Sequence, residues 1–189
     1  MTKSSRVGRP TKSTQRLSKP LILQTALPIF QEQGADALSF RLLAEQLKVT
    51  PMAVTYHTGN KRQLLADLVD LAFKDALPDI ADESPSGKAH TILLAYCQRA
   101  LLNANLLRAV LEDVSLMSQD LDQITIELQT CTQQLAHGDD DNVLLNLLID
   151  YTHGFVFSAS SGKNNTLTIK EYQCGIEWIL VRASNDADR

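Results

Sequence analysis

Apolar residues recur along this chain with the period of an α-helix, and the breaks between the stripes fall on residues that start or stop helices. The first stripe is Ile22, Ala26, Ile29 and Phe30, preceded by Ser18 and Pro20 and followed by Gly34. It predicts a helix with Ser18 as N-cap, Pro20 in the first turn and a stop at Gly34. Pro28 falls inside it. A proline there removes a backbone donor and costs about 3 kcal/mol in a straight helix, so a bend or local irregularity is expected. A second helix should start at Ser39, with Leu38 and Leu43 as the two ends of a hydrophobic staple. Phe40, Leu43, Ala44 and Leu47 form its buried face, leaving Arg41 and Glu45 outside. After a turn at Lys48 and Val49, Thr50 and Pro51 are suited to be the N-cap and first residue of a short third helix that runs to about His57 and is ended by Gly59. Asn60 caps a fourth, with Gln63 as the reciprocal partner of a capping box and Leu64, Leu65, Leu68 and Leu71 facing inward as far as Leu77-Pro78.

The pattern lapses over PDIADESPSGK, residues 78–88, the expected boundary between two domains. Beyond it the periodicity predicts helices near 88–104, 106–117 and 120–136, the first broken or joined to the second around Asn103 to Asn105. From Val143 to Ala159, eleven of seventeen residues are apolar, too many for a helix with one exposed side. The last stripe, Ile169, Tyr172, Ile176, Ile179, Leu180 and Ala183, calls for a partner helix. No strand alternation and no internal repeat competes, so the fold class is all-α.

Charge divides the chain where the pattern does. The net charge is −4 overall, yet residues 1–62 carry +7 and the remainder −11. That asymmetry suits a polyanion-binding head on an acidic body, although a basic tail is also what a solubilising arm looks like. The arm, residues 1–16, is rich in Ser, Thr, Lys and Arg and too polar to fold alone. No apolar leader core opens the chain and no segment reaches eighteen uninterrupted apolar residues, so a cytoplasmic protein without a membrane span is expected. Cys97, Cys131 and Cys174 are odd in number and far apart, which supports neither a disulfide framework nor a zinc module.

The short third helix poses the functional question. Within VTPMAVTYHTGNK, Val49 and Val54 are the aliphatic anchors, so Pro51, Met52, Ala53, Thr55, Tyr56 and His57 should remain exposed. Two helices joined by a tight turn, the second short and polar-faced, have the geometry that enters a DNA major groove. Lys61 and Arg62 stand in the first turn of the next helix, where cations oppose the helix dipole. A phosphate held at that N-terminus would explain them; an ordinary solvated pair is the plainer alternative.

The segment SFRLLAEQLKVTPMAVTYHTGNKRQLLADL resembles the DNA-binding domain of the TetR family of bacterial transcriptional regulators. In that family a Thr/Ser-x-Arg-x-Leu-Ala helix, a Gly-Val turn, a recognition helix ending in an aromatic-His segment and Asn-Lys-x-x-Leu-Leu follow one another without gaps. The resemblance covers about residues 18–77. It implies a basic arm (1–16), a three-helix helix-turn-helix head (17–78) joined by helix 4 to a ligand-binding and dimerisation body (79–189), and a homodimer through the last two helices, about 143–159 and 168–183. By the same resemblance Arg41 reaches DNA from helix 2, Thr50, Pro51, Met52 and Ala53 face base edges, Thr55, Tyr56 and His57 brace the phosphates, and Lys61 holds a phosphate. Lys48 departs from the usual turn glycine, Thr58 from an aromatic or aliphatic residue, and Thr55 stands where the family has a phosphate-binding tyrosine, a task Tyr56 could share.

Pro51, Met52 and Ala53 offer no side-chain donor, so their readout would be apolar contact with thymine methyls, leaving Arg41 and Thr50 for hydrogen bonds. The expected half-sites are therefore T-rich or contain A·T pairs. Arg6 and Arg9 of the arm suit either a neighbouring minor groove or a solubilising tail. In the body, Tyr96, Cys97, Met117, Tyr151, Phe155 and Trp178 are candidate pocket liners, or else plain core. Charge is scarce among them, which points to an apolar or neutral effector. His90, His137 and His153 lack ligand spacing, so neither a metal site nor a cofactor is expected, and Asp139-Asp140-Asp141 reads as a helix cap. The reading is a homodimeric repressor released from a pseudo-palindromic operator by a small molecule. The alternative is a nucleoid-associated or protein-binding adaptor with no such switch. No catalytic constellation argues for an enzyme.

Overall fold

Four side-chain caps start the first four helices at the residues the sequence nominates. In the computed structural model, which describes residues 16–80, 84–137, 139–161 and 166–186, helices α1 (Lys19–Ala37), α2 (Phe40–Leu47), α3 (Pro51–Thr58) and α4 (Lys61–Phe73) form the head. Ser18 Oγ accepts from the Leu21 N–H at 3.4 Å, Ser39 Oγ from Leu42 at 3.1 Å, Thr50 Oγ1 from Ala53 at 3.2 Å and Asn60 Oδ1 from Gln63 at 2.9 Å. Such a cap contributes about 1 kcal/mol. Ile22, Phe30, Leu38, Leu43, Val54, Leu64 and Leu68 close the head's core, each at 2% exposure or less. The Asn60 box is half made: the Gln63 side chain lies against Gly59, where an added Cβ would collide with it.

Three expectations need correction. Helical dihedrals persist through Pro28, which is exposed, and the non-helical residue of α1 is Gly34, at φ 75° and ψ −167°. The chain breaks there as expected but runs on for one more turn to Ala37. Helix α4 stops at Phe73, short of Leu77-Pro78, because Asp75 turns left-handed at φ 53° and the Ala76 N–H bonds back to the Phe73 carbonyl. The arm, with Arg6 and Arg9, lies outside the described residues.

The body comprises α5 (Pro85–Leu102), α6 (Ala104–Glu112), a 3-10 turn (Val114–Leu116), α7 (Gln119–Leu135), α8 (Val143–Ser160) and α9 (Ile169–Asp186), with no strand among the described residues. Helix α5 is central, packing on α7, α8 and α9. Tyr172 of α9 is fully buried, and its hydroxyl lies 2.8 Å from Thr152 Oγ1 and donates to the Leu93 carbonyl at 3.2 Å. Gly175 lets α9 approach α8, since a Cβ there would strike the Tyr151 ring. Asp139 alone of the aspartate run caps α8, accepting from the N–H groups of Val143 (2.7 Å) and Leu144 (2.9 Å).

Head and body pack through one apolar core, with α1 and α4 against α6, and polar side chains edge the junction. Asn103 breaks α5 from α6 and accepts from Gln31 at 2.9 Å, while Asn105 donates to two carbonyls in the last turn before the Gly34 break, those of Phe30 and Gln31. Arg99 of α5 donates to the Ala72 carbonyl near the end of α4. Two helix C-termini of the head are thus capped by side chains of the body.

Candidate nucleic-acid interface and body cavity

Helix α3 is held from beneath and left bare above. Val54 is fully buried and Thr58 is at 2%, with the Thr58 hydroxyl returning to the Val54 carbonyl at 3.0 Å. Thr58 therefore fills the place of a larger apolar residue by bonding to its own helix. Against the expectation of a wholly exposed set, Ala53 and His57 are half-buried. Pro51 and Thr55 are exposed, while Met52 at 83% and Tyr56 at 86% are almost fully so. The His57 ring stands edge-on to Tyr56, centroids 5.3 Å apart. The exposed Arg41 lies one helix away on α2.

The turn between α2 and α3 is made by Lys48 at φ 56°, the left-handed conformation for which glycine is the usual choice. The hydroxyls around it are partly committed. Thr50 accepts the capping bond and keeps its proton free, whereas Thr55 donates to the Pro51 carbonyl at 3.1 Å, turning its hydroxyl back along the helix. Tyr56 is left as the projecting hydroxyl.

The cations of α4 have intramolecular partners that sequence reasoning did not find. Lys61 Nζ donates to the Ala35 carbonyl at 2.8 Å, next to the Gly34 break, and keeps further N–H groups exposed. Arg62 reaches the body, pairing with the Asp113 carboxylate at 3.3 Å and with the Ser115 hydroxyl. Ser115 and Arg62 together hold the Asp113 carboxyl below its ordinary range. The two cations at the start of α4 are thus explained by the fold itself, with Lys61 still able to meet a phosphate.

In the body, a cavity of about 230 Å³ opens among α5, α6, α7 and α8 beside the 3-10 turn. Of the six residues nominated as liners, Tyr96 and Met117 are there. The other four are elsewhere: Cys97 is buried core, Tyr151 and Phe155 pack on Tyr172, and Trp178 lies 59% exposed on α9 under the Arg182 guanidinium. Burial pushes the Cys97 thiol up to about 12, so it is not a reactive cysteine. The liners missed are Leu107, Val110, Leu121, Ile124, Leu128 and His153 among others. Tyr96 Oη lies 2.8 Å from His153 Nε2. Burial raises the tyrosine's pKa above the ordinary value and lowers that of the histidine, with Asp150 opposing the latter, so both are neutral at pH 7. Among the described residues no group of three or more His, Cys, Asp or Glu could hold a metal, and no helix is long and apolar enough to cross a membrane.

Comparison with known proteins bears on the head and the whole chain differently. Residues 22–68 match the family described as bacterial regulatory proteins, tetR family. The class G tetracycline repressor protein of Vibrio anguillarum is 39% identical over 64 residues, 34% of this chain. That alignment spans only 26% of the repressor's length. In fold, the chain is similar to BioQ of Mycobacterium smegmatis, with a TM-score of 0.75 and 24% identity over 90% of this chain and 99% of that one. It is similar also to BioQ with its natural double-stranded DNA operator, with a TM-score of 0.72 and 22% identity over the same shares. Over its head the chain thus matches bacterial regulatory proteins of the tetR family in sequence, and over 90% of its length it shares the fold of BioQ.

Proposed function

We propose that this protein is a homodimeric transcriptional repressor that holds a pseudo-palindromic operator and is released when a small apolar or neutral effector fills the body cavity. The observation that carries the DNA half is α3: packing gains nothing from leaving Met52 and Tyr56 bare on a helix of a helix-turn-helix. In this reading residues 17–78 bind DNA and 79–189 bind ligand and partner subunit. Arg41, Thr50, Pro51, Met52 and Ala53 meet base edges; Tyr56, His57 and Lys61 meet phosphates. Thr55, its hydroxyl already spent, contributes least. The dimer face is the outer side of α8 and α9, where Val143, Leu147, Trp178 and Val181 are all 50% exposed or more. Arg62, tied to Asp113 and Ser115 beside the cavity's Met117, gives an effector a contact through which to bias the separation of the heads. The protein acts in the bacterial cytoplasm, with no catalytic step and no cofactor.

The test is recovery and sequencing of genomic fragments bound at near-physiological salt, because low salt reports charge alone. A two-fold symmetric site with A·T-containing half-sites, lost in the Tyr56→Ala/Lys61→Ala double variant, is the expected result. Unselective fragments retained equally by both proteins would overturn it and favour the adaptor.

A further inference from the structure

We propose that the effector is an uncharged, mostly hydrocarbon molecule of bicyclic size carrying one hydroxyl, and that the hydroxyl bonds to the Tyr96–His153 pair at the otherwise apolar cavity wall. This rests on reading the cavity as the effector site. Size comes from the volume: a cavity of about 150 Å³ accepts benzene, so about 230 Å³ suits roughly ten non-hydrogen atoms. Leu111 and Met117, 48% and 38% exposed, form an apolar lip through which such a molecule enters.

Charge is excluded by what the wall lacks. Neither Lys nor Arg nor any carboxylate lines the cavity, and a buried ion with no partner is costly to hold. His153 is no ready cation, being desolvated there. Three polar side chains remain. Thr125 already donates to the Leu121 carbonyl at 3.1 Å. Tyr96 and His153 share one hydrogen bond, whose direction depends on the histidine tautomer. If the tyrosine donates, its oxygen is left as an acceptor; if the imidazole donates, the tyrosine proton is left over. A ligand hydroxyl, both donor and acceptor, satisfies either arrangement. A ketone suits only the second, and a carboxylate brings unpaired charge.

Full-length protein without DNA should be titrated calorimetrically with 2-naphthol, 2-naphthoate and naphthalene, three probes on one frame. The expected result is 2-naphthol binding about tenfold tighter than either relative, the order of one added hydrogen bond. In Tyr96→Phe/His153→Leu, naphthalene should still bind and the preference for naphthol should shrink to about threefold or less. On the wild-type protein, one of the four histidine imidazole signals in NMR should move with 2-naphthol and not with naphthalene. That reading does not depend on the variant folding. Tightest binding by 2-naphthoate, no binding of 2-naphthol, an undiminished preference in the double variant, or four unmoved imidazoles would each overturn the proposal. A naphthol complex that leaves operator binding unchanged would uphold the ligand class and remove the switch instead.

Discussion

Head and body are built from information at different range. In the head, each helix is started by a side chain three residues from the N–H it caps, and α3 is fixed by Val54 beneath and its own Thr58 bond. The exposed face of α3 is a property of eight residues. In the body, Tyr96 and His153 of the cavity stand 57 residues apart in the chain and meet only when α5 and α8 pack. A site that is one side of a short helix is present as soon as that helix docks; a site that is the space between four helices exists only in the assembled fold. Head and body share one apolar core, Phe73 of α4 lying 6.4 Å from Tyr96 of α5 ring to ring, and hydrogen bonds of Asn105, Arg99 and Arg62 edge the junction.

The largest effect should come from the exposed apolar face of α8 and α9, the proposed dimer face. Leu147→Glu with Trp178→Glu should give a folded monomer by sedimentation velocity, and operator affinity should fall by about a hundredfold or more as two heads cease to bind together. Next is Leu43→Ala in the head. It should cost about 2–5 kcal/mol in chemical denaturation. Tyr56→Ala should weaken operator binding about tenfold in fluorescence anisotropy with an unchanged melting temperature, while Thr55→Ala stays within about threefold. Lys48→Gly should stabilise the head by up to about 1 kcal/mol, relief of left-handed strain outweighing the greater freedom of glycine in the unfolded chain. The smallest effect belongs to His153. Its folded pKa lies below the ordinary 6.5, so its contribution is complete above that pH and is lost as the pH falls through it, when the unfolded chain takes the proton first. His153→Gln should flatten the fall in melting temperature between pH 7 and pH 5.5.

The same difference in range decides what the sequence discloses. Ser18, Ser39, Thr50, Asn60 and the Leu38–Leu43 staple are read from spacing because the physics acts over three to five residues. Thr168 and Glu171 carry the same signal and do form a reciprocal cap on α9, a box available to sequence reading but unused. The partners of Arg62 and Lys61, 51 and 26 residues away, carry no local signal. Residue type nominates Trp178, Phe155 and Tyr96 as large aromatic side chains of the body. It cannot separate a side chain turned to solvent, to another helix or to a cavity, which is why Tyr96 lines the pocket and Trp178 does not.

The most direct test of the account is the salt dependence of binding to the recovered operator and to a scrambled duplex of equal length, for wild type and Tyr56→Ala. A head that reads bases keeps a wide gap between the two duplexes at about 0.15–0.2 M salt, and Tyr56→Ala lowers affinity for the operator more than for the scrambled duplex. If the two duplexes bind alike at every salt concentration, and the variant follows the same line, α3 contributes only charge and the regulator reading fails.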